Sequence, residues 1–185
     1  MAWQMKRSVS TICQDNEWLV ENDMLGTCDI CDQYKADDSG RCRVLPPVYR
    51  SFGAYERFAG RVATVKCHED NALVKAAVDS PGQGRVLVVD GGGSLRRALL
   101  GGNLARAAAD NGWAGIVVDG CVRDVDELIT FQIGIQALAS MPMPTVKRNE
   151  GQAEVPVLLH GMWIRPGDWL VADRDGIVVL DDPPA

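Results

Sequence analysis

From residue 60 onward, the spacing of apolar positions predicts an alternation of strands and helices. Arg61-Val-Ala-Thr-Val-Lys-Cys67 has the period-two pattern of a half-buried strand. Asn71 to Val78 carries apolar residues at helical spacing, and Ser80-Pro81-Gly82 stops it. Arg85-Val-Leu-Val-Val89 is a continuous apolar strand closed by Asp90 and three glycines, and a helix from about Asn103 to Asn111 follows, with Gly112 as its stop. Gly115 to Asp119 is another buried strand. Strand, helix, strand in that order implies a right-handed crossover and two parallel neighbouring strands.

Beyond Phe131 the pattern changes to short strands: Gln136–Ala139, Val155–His160, Trp169–Ala172 and Ile177–Leu180. Pro166-Gly167-Asp168 and Asp173-Arg174-Asp175-Gly176 are the turns between them, and Met141-Pro-Met-Pro144 through Gly151 is a polar loop. On the N-terminal side, residues 1–26 are polar and irregular, with Trp18-Leu19-Val20 and Met24-Leu25 as the apolar anchors. Thr27 is expected to cap a short helix running to Tyr34. Lys35 to Gly40 reads as a loop, and Leu45-Pro46-Pro47 forces an extended backbone. The pattern predicts one mixed α/β domain over residues 27–185, β-rich in its C-terminal half, behind an extension of residues 1–26.

Composition narrows the function classes. The 185 residues are 46% hydrophobic and 24% charged, and a chain of this size buries about 70% of its unfolded surface, enough for a core without staples. No apolar run approaches the ~20 residues that cross a bilayer, and MAWQMKRSVS lacks the apolar stretch of a secretory signal. The net charge of −6 argues against a nucleic-acid partner. Cysteines stand at 13, 28, 31, 42, 67 and 121. Without a signal, and in a chain this long, a disulfide framework is not expected, and the reading is a reducing, cytoplasmic compartment. Cys28-Asp-Ile-Cys31 has the spacing of a redox motif or half a zinc site. A second such pair is missing and the two histidines, His68 and His160, lie at no ligand spacing, so the pair reads as reduced thiols on a short helix.

Two places could carry chemistry. Asp90-Gly-Gly-Gly-Ser94 invites a nucleotide or methyl-donor reading, but Arg96 stands where G-x-G-x-x-G needs its third glycine. A tight turn with positive φ accounts for the glycines. The more specific constellation is a pair of strand-end loops, 100–104 and 120–127, lying where open sheets build sites. Gly101, Gly102, Asn103 and Leu104 begin a helix, whose unpaired N–H groups would seat a carboxylate. Arg123 next to Asp124 is either a surface ion pair or something more useful. A hard divalent cation on Asp124 would chelate a 2-oxo acid through its keto and carboxylate oxygens. Arg123 would then stabilise the negative charge on the keto oxygen as an enolate forms.

Four segments in fixed order resemble the RraA-like family: GRVATVKCHEDNALV (60–74), RVLVVDGGGSLRRALLG (85–101), NGWAGIVVDGCVRDVDEL (111–128) and PGDWLVADRDGIVVL (166–180). The resemblance spans residues 27–182. It implies a ββα "swivelling"-type domain, assembled as a homotrimer with sites between subunits, or as a pair of trimers. It also implies either of two activities. One is that of class II aldolases, which use Mg2+ or Mn2+ to cleave 4-hydroxy-4-methyl-2-oxoglutarate to pyruvate, with oxaloacetate decarboxylation as a side activity. The other is that of non-catalytic regulators that bind and inhibit ribonuclease E. Some members carry a methyltransferase label, which would require S-adenosylmethionine.

Carried over residue by residue, the resemblance makes the loop Gly101–Leu104 the binder of the substrate carboxylate, Arg123 the substrate-binding arginine and Asp124 the metal ligand. Aldolase-type members have an aspartate 21 positions before the arginine, where this chain has Gly102. Glu127, within i,i+3 reach of Asp124, is the candidate to replace that carboxylate, ahead of Asp126. Regulator-type members tend to lack the aspartate at 124, so its presence here favours retained chemistry. Asp119 is expected either to orient the site or to be a turn residue, and Asp70 to cap the helix it precedes. Arg96 and Arg97 are expected to meet a neighbouring subunit rather than substrate, and Trp163 and Trp169 to sit in the core or an interface.

Overall fold

The computed structural model describes residues 24–184. In chain order its elements are α1 (Thr27–Tyr34), β1 (Cys42–Val44), β2 (Arg50–Ser51), β3 (Phe58–Lys66), α2 (Ala72–Val78), β4 (Val86–Leu100), α3 (Gly102–Asp110) and β5 (Gly115–Val122), followed by α4 (Val125–Leu128), β6 (Gly134–Ser140), β7 (Gln152–Ala153), β8 (Val157–Leu159), β9 (Met162–Ile164), β10 (Trp169–Ala172) and β11 (Ile177–Leu180). Of the expected extension, residues 1–23 lie outside the described residues, as do Cys13 and the Trp18-Leu19-Val20 anchor.

The apolar runs form the centre of a sheet ordered β1-β11-β10-β3-β4-β5-β6-β2, with β7 also on β3. β3, β4, β5 and β6 run parallel, and the flanking strands are antiparallel. Parallel strands carry near-continuous apolar sequence because both faces are covered. On one face Val65, Val89, Val118 and Ile135 pack against Val74 and Val78 of α2, Ala105 and Ala108 of α3, and Leu128 of α4. On the other, Val62, Val88 and Val117 meet Val157, Leu159 and Ile164 of β8 and β9, and Leu170 and Val179 of β10 and β11. The mixed α/β class and the β-rich C-terminal half are as expected. None of the described helices is long and apolar enough to cross a membrane.

Several local expectations need correction. β3 is not half-buried, because Val62 to Val65 are covered on both faces. Gly26, not Thr27, is the N-cap of α1; the Thr27 N–H and hydroxyl both donate to Asp173 instead (2.8 and 2.7 Å). The three glycines do not end the strand after Val89. β4 runs through them to Leu100, losing register with β5 in steps. Gly92 and Gly93, both at φ 65°, supply the left-handed backbone of that excursion. β5 likewise runs past Asp119 to Val122. The four strands not anticipated, β1, β2, β7 and β9, are two or three residues long, too short to show a period. Trp169 packs against the α1 cluster, whereas Trp163 is 49% exposed and is no core residue.

Candidate active site

β4 and β5 end side by side, with Leu100 opposite Val122, so the loops that leave them are neighbours. The Arg123 N–H donates to Leu100 O (2.9 Å) and holds the two exits together. Gly101 is the extended N-cap of α3, and its carbonyl accepts the Leu104 and Ala105 N–H groups (3.1 and 3.0 Å). Asp124 is the N-cap of α4 with φ 59° and ψ 42°. That left-handed conformation, tolerated best by Gly, Asn and Asp, turns its carboxylate back toward α3. Oδ2 accepts the Gly102 N–H (3.1 Å) and lies 3.4 Å from Arg123 Nε. Both side chains stay partly open to solvent, at 38% and 37%.

The two glycines make this arrangement possible. A Cβ on Gly101 would stand 2.7 Å from Asp124 Oδ2 and 3.1 Å from Arg123 Nε. A Cβ on Gly102 would fall on Glu127 Oε2. Glu127 follows Asp124 on α4, its N–H bonded to Asp124 O (2.9 Å), and its carboxylate takes the space that Gly102 leaves vacant. Arg123, Asp124 and Glu127 are therefore brought together at the start of α3.

The loop N–H groups differ from expectation. Gly102 gives its N–H to Asp124 and Leu104 to Gly101 O, while those of Gly101 and Asn103 make no hydrogen bond among the described residues. Asp126 is exposed, with no hydrogen bond or ion pair to this cluster among the described residues. Asp119 is neither a turn residue nor a neighbour of this cluster. It lies within β5, 6% exposed, and bonds Tyr49 and His160 on the face away from the helices.

The donor set fits a hard cation of the magnesium type. Both side-chain contacts of Asp124 fall on Oδ2, leaving Oδ1 without a partner among the described residues, and Glu127 brings a second carboxylate to the same loop. Among the described residues no three His, Cys, Asp or Glu side chains are grouped to hold a metal. A cation here would complete its shell with water and substrate oxygens, as Mg2+ does with one or two protein carboxylates.

Three consecutive side chains ahead of α2, not foreseen as a unit, brace this end of the sheet. Glu69 accepts from Ser94 (2.6 Å) and Arg96 (2.7 Å). Buried Asp70 accepts the Ala72 N–H (2.8 Å), doing the capping work expected of it, and also the Arg148 and Glu150 N–H groups (2.6 and 3.1 Å). Asn71, the N-cap by its dihedrals, donates to Leu99 O (3.2 Å) one residue before the strand ends, and its Oδ1 is buried without a partner. Arg97 donates to Pro144 O (2.9 Å), so both arginines are engaged within the chain. On α1, the Asp175 carboxylate raises the Cys28 thiol pKa and burial raises that of Cys31, which opposes thiolate reactivity.

Comparison with known proteins agrees with this architecture. The family model described as RraA-like, Aldolase/RraA, matches residues 27–179. A protein of Albidiferax ferrireducens named "Putative 4-hydroxy-4-methyl-2-oxoglutarate aldolase" is 63% identical over 161 residues, covering 83% of this chain and 93% of that one. A solved structure of the RNA-processing inhibitor RraA from Thermus thermophilis superposes with a TM-score of 0.82 at 48% identity, covering 87% of this chain and 95% of that one. A Geobacillus kaustophilus structure described as an S-adenosylmethionine:2-dimethylmenaquinone methyltransferase superposes with a TM-score of 0.81 at 38% identity, covering 85% and 96%. With its β4 and β5 exits, its Arg123-Asp124 step and a family match over most of its length, this chain belongs to the RraA-like family.

Proposed function

We propose that this chain is a divalent-metal-dependent carbon–carbon lyase that cleaves 4-hydroxy-4-methyl-2-oxoglutarate-type substrates by retro-aldol chemistry and decarboxylates oxaloacetate through the same enolate. One observation carries the reading. Asp124 is held in a left-handed backbone that seats its carboxylate at the start of α3, beside Arg123 and the carboxylate of Glu127. The names of close relatives support the aldolase reaction.

The division of labour follows from position. Asp124, with Oδ1 open among the described residues, would hold a Mg2+ or Mn2+ ion, which would supply polarisation of the keto oxygen of a 2-oxo acid. Arg123 faces the same oxygen and stabilises the charge that gathers there as the C3–C4 bond breaks. The N–H groups of Gly101 and Asn103 orient the substrate carboxylate at the helix start. Glu127 takes the proton of the C4 hydroxyl through a water and later returns one to the enolate carbon. With oxaloacetate, carbon dioxide leaves in place of the second carbonyl product and the same enolate is protonated to pyruvate. The working assembly is a homotrimer or a pair of trimers in the cytoplasm.

Pyruvate release from oxaloacetate and from 4-hydroxy-4-methyl-2-oxoglutarate, with and without a chelator, tests the proposal. Release that the chelator abolishes and Mn2+ restores supports it, and equal rates in both arms, or none in either, overturn it. A second reading has its own support in the Thermus structure, described as an RNA-processing inhibitor: a regulator that docks on a ribonuclease. Calorimetric titration with Mn2+ separates the two, since the regulator reading expects no binding that depends on Asp124.

A further inference from the structure

Among the described residues the β8–β9 hairpin pairs with no other strand and forms a two-stranded sheet of its own. It meets the main sheet through side chains, with Val157, Leu159 and Ile164 buried and Leu158 and Trp163 facing outward. Its flanks are tied by Thr64 Oγ1, which donates to Val155 O (2.6 Å), and by Arg43, which donates to Trp163 O (2.7 Å). Its tip is a two-residue turn, His160-Gly161, with φ of 49° and 85°. Positive φ at both positions is the type I′ pattern, where asparagine is the favoured first residue.

His160 does something asparagine cannot reach to do. Its Nε2 lies 3.0 Å from Asp119 Oδ1, and the Tyr49 hydroxyl donates to the same oxygen from 3.2 Å. The two rings stand edge-on with centroids 5.8 Å apart. Asp119 is 6% exposed and pairs in register with Asp90, itself 6% exposed and paired with Lys66. Two carboxylates thus sit side by side within the parallel strands β4 and β5, with Lys66 Nζ 3.4 Å from Asp90 Oδ2. A buried carboxylate in such company depends on its donors.

We infer that His160 is a clamp holding the β8–β9 hairpin shut over the Lys66–Asp90–Asp119 row, and that without it the hairpin opens more often, as a unit and separately from the main sheet. The identity of the residue is explained by its reach, because the turn alone is served better by asparagine. Tyr49 pins the loop before β2 to the same carboxylate and touches the hairpin only through its packing, including the edge of the His160 ring.

Native-state hydrogen exchange on the full chain tests this with His160→Asn, which suits the turn but cannot reach Asp119, and Tyr49→Phe. Loss of a hydrogen bond to a buried carboxylate is expected to speed exchange of the 157–164 amides by about tenfold or more in His160→Asn. The β4 and β5 amides should stay unchanged, and Tyr49→Phe should affect the hairpin less. Hairpin exchange that is unchanged or slower in His160→Asn overturns the clamp, leaving only a turn residue. Acceleration shared equally by β4 and β5 overturns separate opening, and an equal effect of Tyr49→Phe on the hairpin overturns the assignment to His160.

Discussion

The carboxylate of Glu127 lies where a side chain on residue 102 would have to go. The two positions are therefore not independent, and each constrains what the other can be. Gly102→Ala is expected to push the exposed Glu127 carboxylate aside, a small cost at the free end of a flexible side chain, set against the gain of up to about 1 kcal/mol of alanine over glycine in α3. In the Glu127→Ala background nothing has to move, so the same change should be more stabilising. Thermal unfolding of the two single variants and the double variant measures this coupling.

Asp124 allows a separation of fold from chemistry. Asp124→Asn keeps an acceptor for the Gly102 N–H and suits the left-handed backbone, so stability should change little. Its affinity for Mn2+ should fall at least about tenfold, and pyruvate release should drop by about 100-fold or more. Asp124→Ala should add a stability loss of about 1–2 kcal/mol from the backbone conformation. Calorimetry, turnover and melting of the pair distinguish these effects.

Asp70 and Asp173 link stability to pH. Burial works to raise both carboxyl pKa values. It is outweighed at Asp70 by the N–H groups of Ala72, Glu150 and Arg148, and at Asp173 by those of Thr27, Asp175 and Gly176 with the Thr27 hydroxyl. Both end below their ordinary value, so the folded state holds its protons less tightly than the unfolded one. Their contribution is present above about pH 4 and lost as pH falls further, through the folded-state values. Urea titrations from pH 7 to 3 should show this loss, and Asp70→Asn should flatten part of it.

Arg43 is the buried cation of the β1 edge, 2.9 Å from Asp168 and 2.7 Å from Asp181. Arg43→Ala leaves Asp168 buried without its partner and should cost about 3–5 kcal/mol. Asp168 also accepts the Arg165 N–H, so the turn before β10 should loosen in the same variant, with amide exchange there as the readout.

The parallel centre of the fold was legible because continuous apolar runs such as Val86–Val89 and Gly115–Val118 leave little alternative to strands covered on both faces. The neighbouring exits at Gly101 and Arg123 followed from the same alternation, and the adjacency of Arg123 and Asp124 needed only the chain itself. What was not legible depends on distant partners. Asp119 reads as a strand-end residue until the hairpin and Tyr49 loop arrive over it. Asp90-Gly-Gly-Gly reads as a turn because an excursion that keeps β4 paired with β5 is a tertiary fact. The partnership of Gly102 with Glu127 was suggested by spacing and became concrete only in the packing of α3 against α4.

The run Glu69-Asp70-Asn71 sends each side chain to a different segment: the β4 excursion, the 148–150 loop and the strand end at Leu99. Adding or removing a single residue just ahead of α2 would put all three anchors out of phase at once. That short stretch thus sets the alignment of the crevice mouth although it supplies none of the reacting groups, and length variation should be far better tolerated in the 35–40 loop than there.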